Sequence, residues 1–235
     1  LLYNKKASSS RLSYLCVPYE RSEKGMGFLM KVLLVNGGPH EKGCTYTALE
    51  EVSKTLQKNG IETEIIWLGV NPIAGCIGCN ACLKTGKCFR NDIVNDFIEK
   101  SKEADGFVFG TPVHFASSAG SLTSFMDRVF YGRGDLFKNK PACCVVSCRR
   151  GGATATFDQI NKYFSICNMP IVTSQYWNQV HGTNPDEVRK DEEGMQTMRT
   201  LGNNMAWLLK CIDVAKKNGV EYPENEKAIK TNFIR

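Results

Sequence analysis

The chain contains 235 residues, 42% of them hydrophobic and 23% charged, which suits one sizeable α/β domain. Its formal net charge is +6, but residues 1–30 hold five Lys and Arg against two Glu, which leaves 25 against 22 elsewhere. So small a surplus does not predict a nucleic-acid surface, and no apolar run approaches the roughly 18 residues of a membrane helix. We therefore expect neither nucleic acid nor a membrane as a partner.

The composition divides the chain into three regions. Residues 1–29 are rich in Ser, Lys and Arg without sustained periodicity, so we expect a disordered leader that folding does not need, with Met30 as the better candidate start. Residues 30–219 contain every predicted strand and helix. Residues 220–235 are polar and are expected to form a C-terminal tail on the surface.

The first predicted element is Lys31–Asn36, an apolar run without alternation that is typical of a strand buried on both faces. A glycine-rich turn over residues 37–46 follows, and then a helix that ends at Asn59-Gly60. A strand, a glycine turn and a helix N-terminus bring backbone N–H groups together around an anion such as a phosphate. The turn matches neither the dinucleotide nor the triphosphate fingerprint, so neither ligand is expected there.

The most specific motif follows the second predicted strand, Glu62–Trp67. Four cysteines lie within thirteen residues at the spacing C-x2-C-x2-C-x5-C, namely Cys76, Cys79, Cys82 and Cys88. Cysteines that only pack in a core follow a strand or helix period, which these do not. Residues three apart rarely form an unstrained disulfide. The spacing therefore predicts a metal site.

Two kinds of metal centre fit four thiols, and unliganded thiols are a third alternative. Structural zinc usually takes two cysteine pairs separated by roughly 12 to 20 residues, a span that this loop lacks. Tandem C-x2-C-x2-C runs instead bind an iron–sulfur cluster, in which successive thiolates reach different corners. Unlike the bacterial ferredoxin run, the fourth cysteine follows five residues and precedes no proline. We favour a cluster over zinc, and both over unliganded thiols.

Further strands are predicted at residues 106–111, 142–147 and 170–173, alternating with helices, and a long last helix follows Asn184-Pro185. This pattern predicts an α/β fold with a doubly wound, five-stranded parallel sheet covered by helices on both faces. The loops after strands one, three and four then share the carboxyl edge, where such sheets bind ligands. Their Gly, Ser, Thr and Pro residues suit a phosphate and a flat ring, as in FMN.

From Met30 to about Gly219 the chain resembles the flavodoxin-like NAD(P)H-dependent FMN reductases, and within them the iron–sulfur flavoproteins. The matching features are the glycine turn, the cysteine run, the Thr111–Phe115 loop and the Arg149–Gly152 turn. Residues 175–182 look like a further subfamily signature. The resemblance implies FMN, a [4Fe-4S] cluster near the flavin, NAD(P)H as electron donor, and homodimers or homotetramers in which neighbouring subunits complete each site.

The resemblance also assigns residues by position. The FMN phosphate would be held by Gly38, His40, Gly43, Cys44, Thr45 and Tyr46. The flavin ring would lie along Thr111, Pro112, Val113, His114 and Phe115, with Arg149, Arg150, Gly151 and Gly152 over its polar edge. The cluster would be bound by Cys76, Cys79, Cys82 and Cys88.

Two departures from the family pattern affect these assignments. Relatives often have Ser-Pro-Arg and Gly-Asn-Thr in the phosphate turn, where this chain has Gly38-Pro39-His40 and Gly43-Cys44-Thr45. The missing arginine removes a bidentate phosphate donor, so binding would rest more on backbone amides. A tyrosine common in the ring loop is His114 here, which would change the stacking on the flavin.

The three histidines, at positions 40, 114 and 181, each fall in a predicted carboxyl-edge loop. His181 follows Asn178 in an Asn-x-x-His arrangement, and the two are candidate catalytic residues that donate a proton or contact the flavin; the alternative is a solvated or capping role. Tyr176 and Trp177 suit either stacking on a cofactor or closing the core. Small core residues are predicted at Cys143, Cys144, Cys167 and Cys211.

Three functional hypotheses follow, because FMN accepts two electrons as a hydride whereas a cluster carries one at a time. The first is an FMN and cluster oxidoreductase that reduces a small-molecule acceptor or a redox protein. The second is a dehydrogenase of one dedicated metabolite, since such relatives are linked with 2-amino-4-deoxychorismate. The third is a non-enzymatic electron carrier. Eleven cysteines, four of them crowded into one loop, and no secretory signal predict a cytoplasmic location.

Overall fold

A computed structural model describes residues 30–226, 229 and 231. The leader predicted over residues 1–29 lies outside these residues, as does most of the predicted tail beyond residue 226. Residues 220–226 are exposed, and the Tyr222 hydroxyl donates to the carbonyl of Asn139 at 3.3 Å. The described part of the chain is one twisted sheet with helices on both faces.

The sheet contains five parallel strands in the order β2-β1-β3-β5-β6, and a short β4 pairs antiparallel with the end of β3. The strands are β1 (Lys31–Asn36), β2 (Glu62–Trp67), β3 (Gly106–His114), β4 (Ser117–Ser118), β5 (Ala142–Cys148) and β6 (Gln179–His181). Without β4 this is the 2-1-3-4-5 order of doubly wound, flavodoxin-like sheets. The predicted α/β class and parallel sheet are confirmed, and β4 is a sixth strand that was not predicted.

Helices cover the sheet on both sides. They are α1 (Cys44–Lys58), α2 (Ala81–Thr85), α3 (Ile93–Ser101), α4 (Gly120–Arg133), α5 (Ala153–Ile166), α6 (Pro185–Lys190) and α7 (Glu192–Lys217), with a 3-10 turn at Gly134–Phe137. Asp92 caps α3, because its carboxylate accepts from the N–H of Val94 at 3.2 Å. The five-residue α2, which lies inside the cysteine segment, was not predicted.

The core has two layers because successive residues of a strand point to opposite faces. Leu33 and Val35 pack against α3, α4 and α5, whereas Val32 and Leu34 pack against α1 and α7. All four side chains are fully buried. A central strand with a helix layer on each side has no solvent face, which explains the continuous apolar run in the sequence.

The predicted fifth strand at residues 170–173 is wrong in position. Only Ile171 there makes a parallel bridge, to Ala142, and Pro170 has no N–H to donate to a ladder. The chain then leaves the sheet and returns as β6, whose Val180 is fully buried beside β5. Local β propensity favoured the earlier segment, but the free edge of β5 decided which residues pair.

The single long helix predicted after Asn184-Pro185 is two helices. Asp191 breaks it at φ −74° and ψ 80°, and its carboxylate accepts from the N–H of Gly194 at 2.9 Å to cap α7. No helix in the described part of the chain combines the length and the hydropathy that a membrane span requires.

Candidate cofactor site

The turn after β1, residues 37–46, is called the phosphate loop below. Asn36 is fully buried at the end of β1, where its Oδ1 accepts from the N–H of Gly38 and its Nδ2 donates to the carbonyl of Glu41, both at 2.9 Å. Trp67, the last residue of β2, donates from Nε1 to the carbonyl of Gly38 at 2.9 Å. Side chains from two strands therefore hold the shape of the phosphate loop.

The loop ends at the open N-terminus of α1. Gly43 occupies the N-cap position, no side chain caps the helix, and its first turn contains no acidic residue. Thr45 is 3% exposed, and its hydroxyl shares a hydrogen bond of 2.8 Å with Ser147 on β5. The backbone N–H groups of residues 44–46, reinforced by the helix dipole, are therefore the main anion donors that this loop offers.

The predicted ring loop forms a β3–β4 hairpin at the carboxyl edge. Its tip residues, Phe115 and Ala116, have φ values of 50° and 58°, which a type I′ turn requires but which usually call for Gly or Asn. Left-handed backbone costs about 1–2 kcal/mol for each such residue. The Phe115 ring is fully exposed, whereas Thr111 at the base is fully buried and accepts from the N–H of Ala119 at 3.0 Å. Backbone strain that is retained at the carboxyl edge of the sheet, where such folds bind ligands, indicates a binding role for this hairpin.

The ring hairpin contacts the predicted Arg149–Gly152 turn after β5. Gly152 has φ 91°, and an added Cβ would lie 2.8 Å from the Cα of Ala116 and 2.9 Å from Cγ1 of Val113. Arg149, Arg150 and Gly151 are exposed beside this contact. The structure thus brings together the two segments assigned to the flavin ring.

Replacing Gly152 by Ala should lower the free energy of unfolding by about 1–3 kcal/mol, because the methyl group overpacks the hairpin contact and the backbone stays left-handed. Gly151→Ala is the matched control, since its added methyl group meets open space. Urea unfolding of the two variants measures the difference. Equal stability of the two variants would contradict this close contact.

The two candidate catalytic residues lie at opposite ends of β6. His181 is at the carboxyl end with 44% of its side chain exposed, and its Nδ1 lies 3.5 Å from Oδ2 of Asp191, which also accepts from the His181 backbone N–H at 2.7 Å. Asn178 precedes the strand and is 1% exposed, with its Oδ1 accepting from the Ser174 hydroxyl at 2.8 Å. The structure therefore does not bring Asn178 to the carboxyl edge beside His181.

The four motif cysteines line one cavity that opens to solvent, called the cysteine cavity below. Cys76 and Cys79 are exposed, and Cys82 and Cys88 are half-buried. Its rim carries three exposed apolar or aromatic side chains, Ile77, Phe89 and Tyr131. The four thiols predicted to bind a metal therefore face the same cavity.

Two left-handed residues and helix α4 shape this segment. Gly78 and Asn80 have φ values of 64° and 60°, which reverse the chain between successive cysteines. The Tyr131 hydroxyl of α4 donates to Oδ1 of Asn80 at 2.6 Å. The Cys82 sulfur packs so near α4 that a Cβ at Gly132 would be 3.6 Å from it. Helix α4 therefore forms the floor of the cavity.

A third residue of α4, Arg128, reaches the cysteines from a buried position. Its side chain is 2% exposed, pairs with Asp92 and donates to the Cys88 sulfur. Burial disfavours the guanidinium charge, but the hydrogen bonds to Asp92 and Cys88 outweigh this and raise the pKa of Arg128. Asn95 fixes the backbone of Cys88, because it accepts from its N–H and donates to its carbonyl, both at 2.9 Å.

The donor set of the cavity fits a [4Fe-4S] cluster. Within the described ranges no three His, Cys, Asp or Glu side chains stand close enough to hold a single metal ion. A cluster does not need such an arrangement, because each thiolate binds a different iron. The Nε of Arg90, which also lines the cavity, is buried and lacks a hydrogen-bond partner in the described part of the chain. Cluster sulfur would supply an acceptor to this N–H group.

Exposure separates the remaining candidates. Cys143 and Cys144 are fully buried core residues, as predicted, and burial raises the pKa of both thiols. Cys211 is exposed on α7, so its assignment to the core is wrong. Tyr176 and Trp177 are each about half exposed with ring centroids 4.8 Å apart, so they do not close the core.

Sequence reasoning missed two residues of this site, Asn36 and Arg128. Only a weak sequence feature marks either residue as part of the site. Asn36 is the polar end of an otherwise apolar strand, and Arg128 is a charge between the apolar positions Phe125 and Val129 of a helix. Arginine is almost never fully buried unless it is paired, so such a position indicates a partner without naming it.

Fold and site together define a flavodoxin-like α/β protein with a phosphate loop and a cysteine cavity. A family model for NADPH-dependent FMN reductases matches residues 30–184, and the chain belongs to this family. It is therefore an FMN reductase-like oxidoreductase, as the resemblance predicted. An iron–sulfur flavoprotein of Methanocaldococcus jannaschii is 36% identical over 191 residues, which cover 78% of this chain and 99% of that protein. One from Archaeoglobus fulgidus is 38% identical over 203 residues, covering 80% and 96%.

Solved structures agree on the fold. The structure of RosB with a bound 8-demethyl-8-formylriboflavin-5′-phosphate intermediate has a TM-score of 0.62 at 16% identity and covers 87% of this chain and 92% of that chain. A flavodoxin from the domain Archaea has a TM-score of 0.53 at 13% identity and covers 77% and 99%. At these identities the likeness shows the flavodoxin-like fold alone.

Proposed function

We propose that this oxidoreductase carries FMN and a [4Fe-4S] cluster, takes electrons from NAD(P)H, and passes them to a small acceptor or a redox protein. The observation that carries the proposal is that the segment bearing the four thiols leaves the sheet beside the phosphate loop. Trp67 ends β2, from which the cysteine segment leaves, and it donates to the carbonyl of Gly38 in the phosphate loop. The next residue, Leu68, donates from its N–H to the carbonyl of Asn36 at 3.1 Å.

The phosphate loop supports FMN rather than FAD. It offers one set of open N–H groups at the start of α1, which suits one terminal phosphate. The exposed His40 replaces the arginine often found in relatives, so backbone amides would carry most of the binding. The hairpin tip at Phe115 and the turn at Arg149–Gly152 lie against each other and would flank the flavin ring.

Bound FMN would exchange a hydride with NAD(P)H, and the cluster would accept single electrons. This chain would hold the phosphate on the N–H groups of residues 44–46 and orient the ring between the hairpin and the Arg149–Gly152 turn. The Oδ2 atom of Asp191 lies 3.5 Å from Nδ1 of His181 and would help to position this ring at the carboxyl end of β6, where His181 would contact the flavin or donate a proton.

A redox protein as electron acceptor is supported by the rim of the cysteine cavity. Ile77 is 63% exposed and Phe89 57% exposed, and exposed apolar side chains that cluster around a site commonly contact a partner. We extend the proposal to a homodimer or homotetramer and to a reducing, cytoplasmic compartment. In support of that compartment, none of the ten cysteines in the described part of the chain forms a disulfide.

Analysis of anaerobically purified protein tests both halves of the proposal. We expect acid to release FMN, and we expect about four iron atoms and four sulfides per chain. NADPH added without oxygen should bleach the flavin, and turnover should follow when a quinone is supplied as acceptor. Release of FAD or of no flavin would contradict the FMN assignment. Absence of iron and sulfide would contradict the cluster and leave the family assignment in place.

A further inference from the structure

Arg128 makes an unusual set of contacts for a buried arginine. Its Nη1 and Nη2 donate to the two carboxylate oxygens of Asp92 at 2.6 and 2.8 Å. Its Nε and Nη2 also donate to the sulfur of Cys88, at 3.4 and 3.2 Å. One planar cation therefore faces a carboxylate on one edge and a motif thiol on the other.

Neighbouring groups keep this guanidinium in place. Its Nη1 lies 3.4 Å from the carbonyl of Ala74, and its Nη2 lies 3.3 Å from the carbonyl of Arg90. Asp92 is itself held by its capping bond to the N–H of Val94 at the start of α3. Because the side chain of Arg128 is 2% exposed, water screens its charge little. The donors therefore stay aimed at the Cys88 sulfur.

We infer that Arg128 raises the reduction potential of the cluster through Cys88, and that Asp92 lowers it; the inference rests on the cluster of the proposed function. Reduction adds one electron to the cluster, and no bond forms or breaks. Hydrogen bonds to a ligand sulfur and a nearby positive charge stabilise the more negative, reduced form. The carboxylate has the opposite effect, and it is weaker because Arg128 stands between Asp92 and the sulfur. Arg128 is thus a positioning residue that acts through Cys88.

The test compares Arg128→Met with Asp92→Asn in anaerobic redox titrations with dithionite as electron donor, following the EPR signal of the reduced cluster. In Arg128→Met we expect the ratio of reduced to oxidised cluster at a fixed potential to fall about tenfold, which is about 59 mV for a one-electron couple. In Asp92→Asn we expect a smaller rise in the same ratio. The asparagine oxygen can still accept from the N–H of Val94 and from Nη2 of Arg128, whereas the bond from Nη1 of Arg128 is lost together with the negative charge.

The opposite signs distinguish electrostatic tuning from a structural role, because a disturbed site would shift both variants in the same direction. Arg199→Met is the control, since Arg199 also pairs with a carboxylate, Glu51, but lies on α7 and is 48% exposed. Unchanged potentials, or shifts of the same sign, would overturn the inference. If Arg128→Met fails to assemble a cluster, the sign found in Asp92→Asn decides. Wild-type protein without iron would refute the proposed cluster and this inference together, and iron analysis identifies that outcome first.

Discussion

Replacing any one motif cysteine by Ser is expected to remove nearly all iron and acid-labile sulfide from the protein. A cluster needs each thiolate at its own iron, and a neutral hydroxyl is a poor substitute for a thiolate. The variants are Cys76→Ser, Cys79→Ser, Cys82→Ser and Cys88→Ser. Bound FMN should largely remain, because the phosphate loop and the ring hairpin lie on other segments. Iron, sulfide and flavin contents after anaerobic purification measure the effect.

Cys211→Ser is the matched control for these variants, since Cys211 is an exposed free thiol on α7. It should retain the full iron and flavin content of the wild type. The zinc alternative predicts a colourless site with about one zinc per chain, which each motif substitution would release. Unliganded thiols predict no change in any variant. Either result would remove the one-electron part of the proposed function.

The second large effect is expected from Asn36→Ala, which should raise the FMN dissociation constant about tenfold or more, equivalent to about 1.4 kcal/mol. The substitution removes both side-chain hydrogen bonds that hold the phosphate loop, one to Gly38 and one to Glu41. Each such bond contributes about 1 kcal/mol. Without these bonds the phosphate loop is less ordered before FMN binds, so the cost of ordering it reduces the binding free energy. Fluorescence titration of the apoprotein with FMN measures the constant.

Asn204→Ala is the control for this prediction, because its side chain donates to the carbonyl of Thr173 at an exposed position away from the phosphate loop. Asn36→Asp adds a further test. The carboxylate keeps the acceptor for Gly38, but it loses the donor to Glu41 and adds a negative charge near the expected phosphate. Its affinity should fall at least as far as that of Asn36→Ala. Wild-type affinity in both Asn36 variants would show that the loop does not depend on this side chain.

Elements with a local signal were predicted correctly. The strand Lys31–Asn36 and the helix that ends at Asn59-Gly60 occur where the apolar run and the Asn-Gly stop place them. The hydrophobic pattern records burial, and burial on both faces gives the continuous run of β1. The convergence of the four thiols is also local, because they lie within thirteen residues. They meet in one cavity because the chain reverses between them.

Elements that depend on a distant partner were not predictable. β6 has three residues and one buried side chain, Val180, and it is a strand because the edge of β5 is free beside it. Residues 170–173 have the stronger β propensity and form a single bridge. Pairing energy comes from neighbours across the sheet, so propensity alone selects the wrong segment.

The sequence by itself determined the α/β class, the buried first strand with its glycine-rich turn, and the run of four closely spaced cysteines, because each follows from residues close together in the chain. The tertiary structure decided that Arg128 stands between Asp92 and Cys88, which lie 36 and 40 residues from it. It also decided that Asn36 braces the phosphate loop and that Asn178 lies away from His181. The charge and hydrogen bonding of a buried polar side chain are set by the groups that packing places around it, and those groups are remote in sequence.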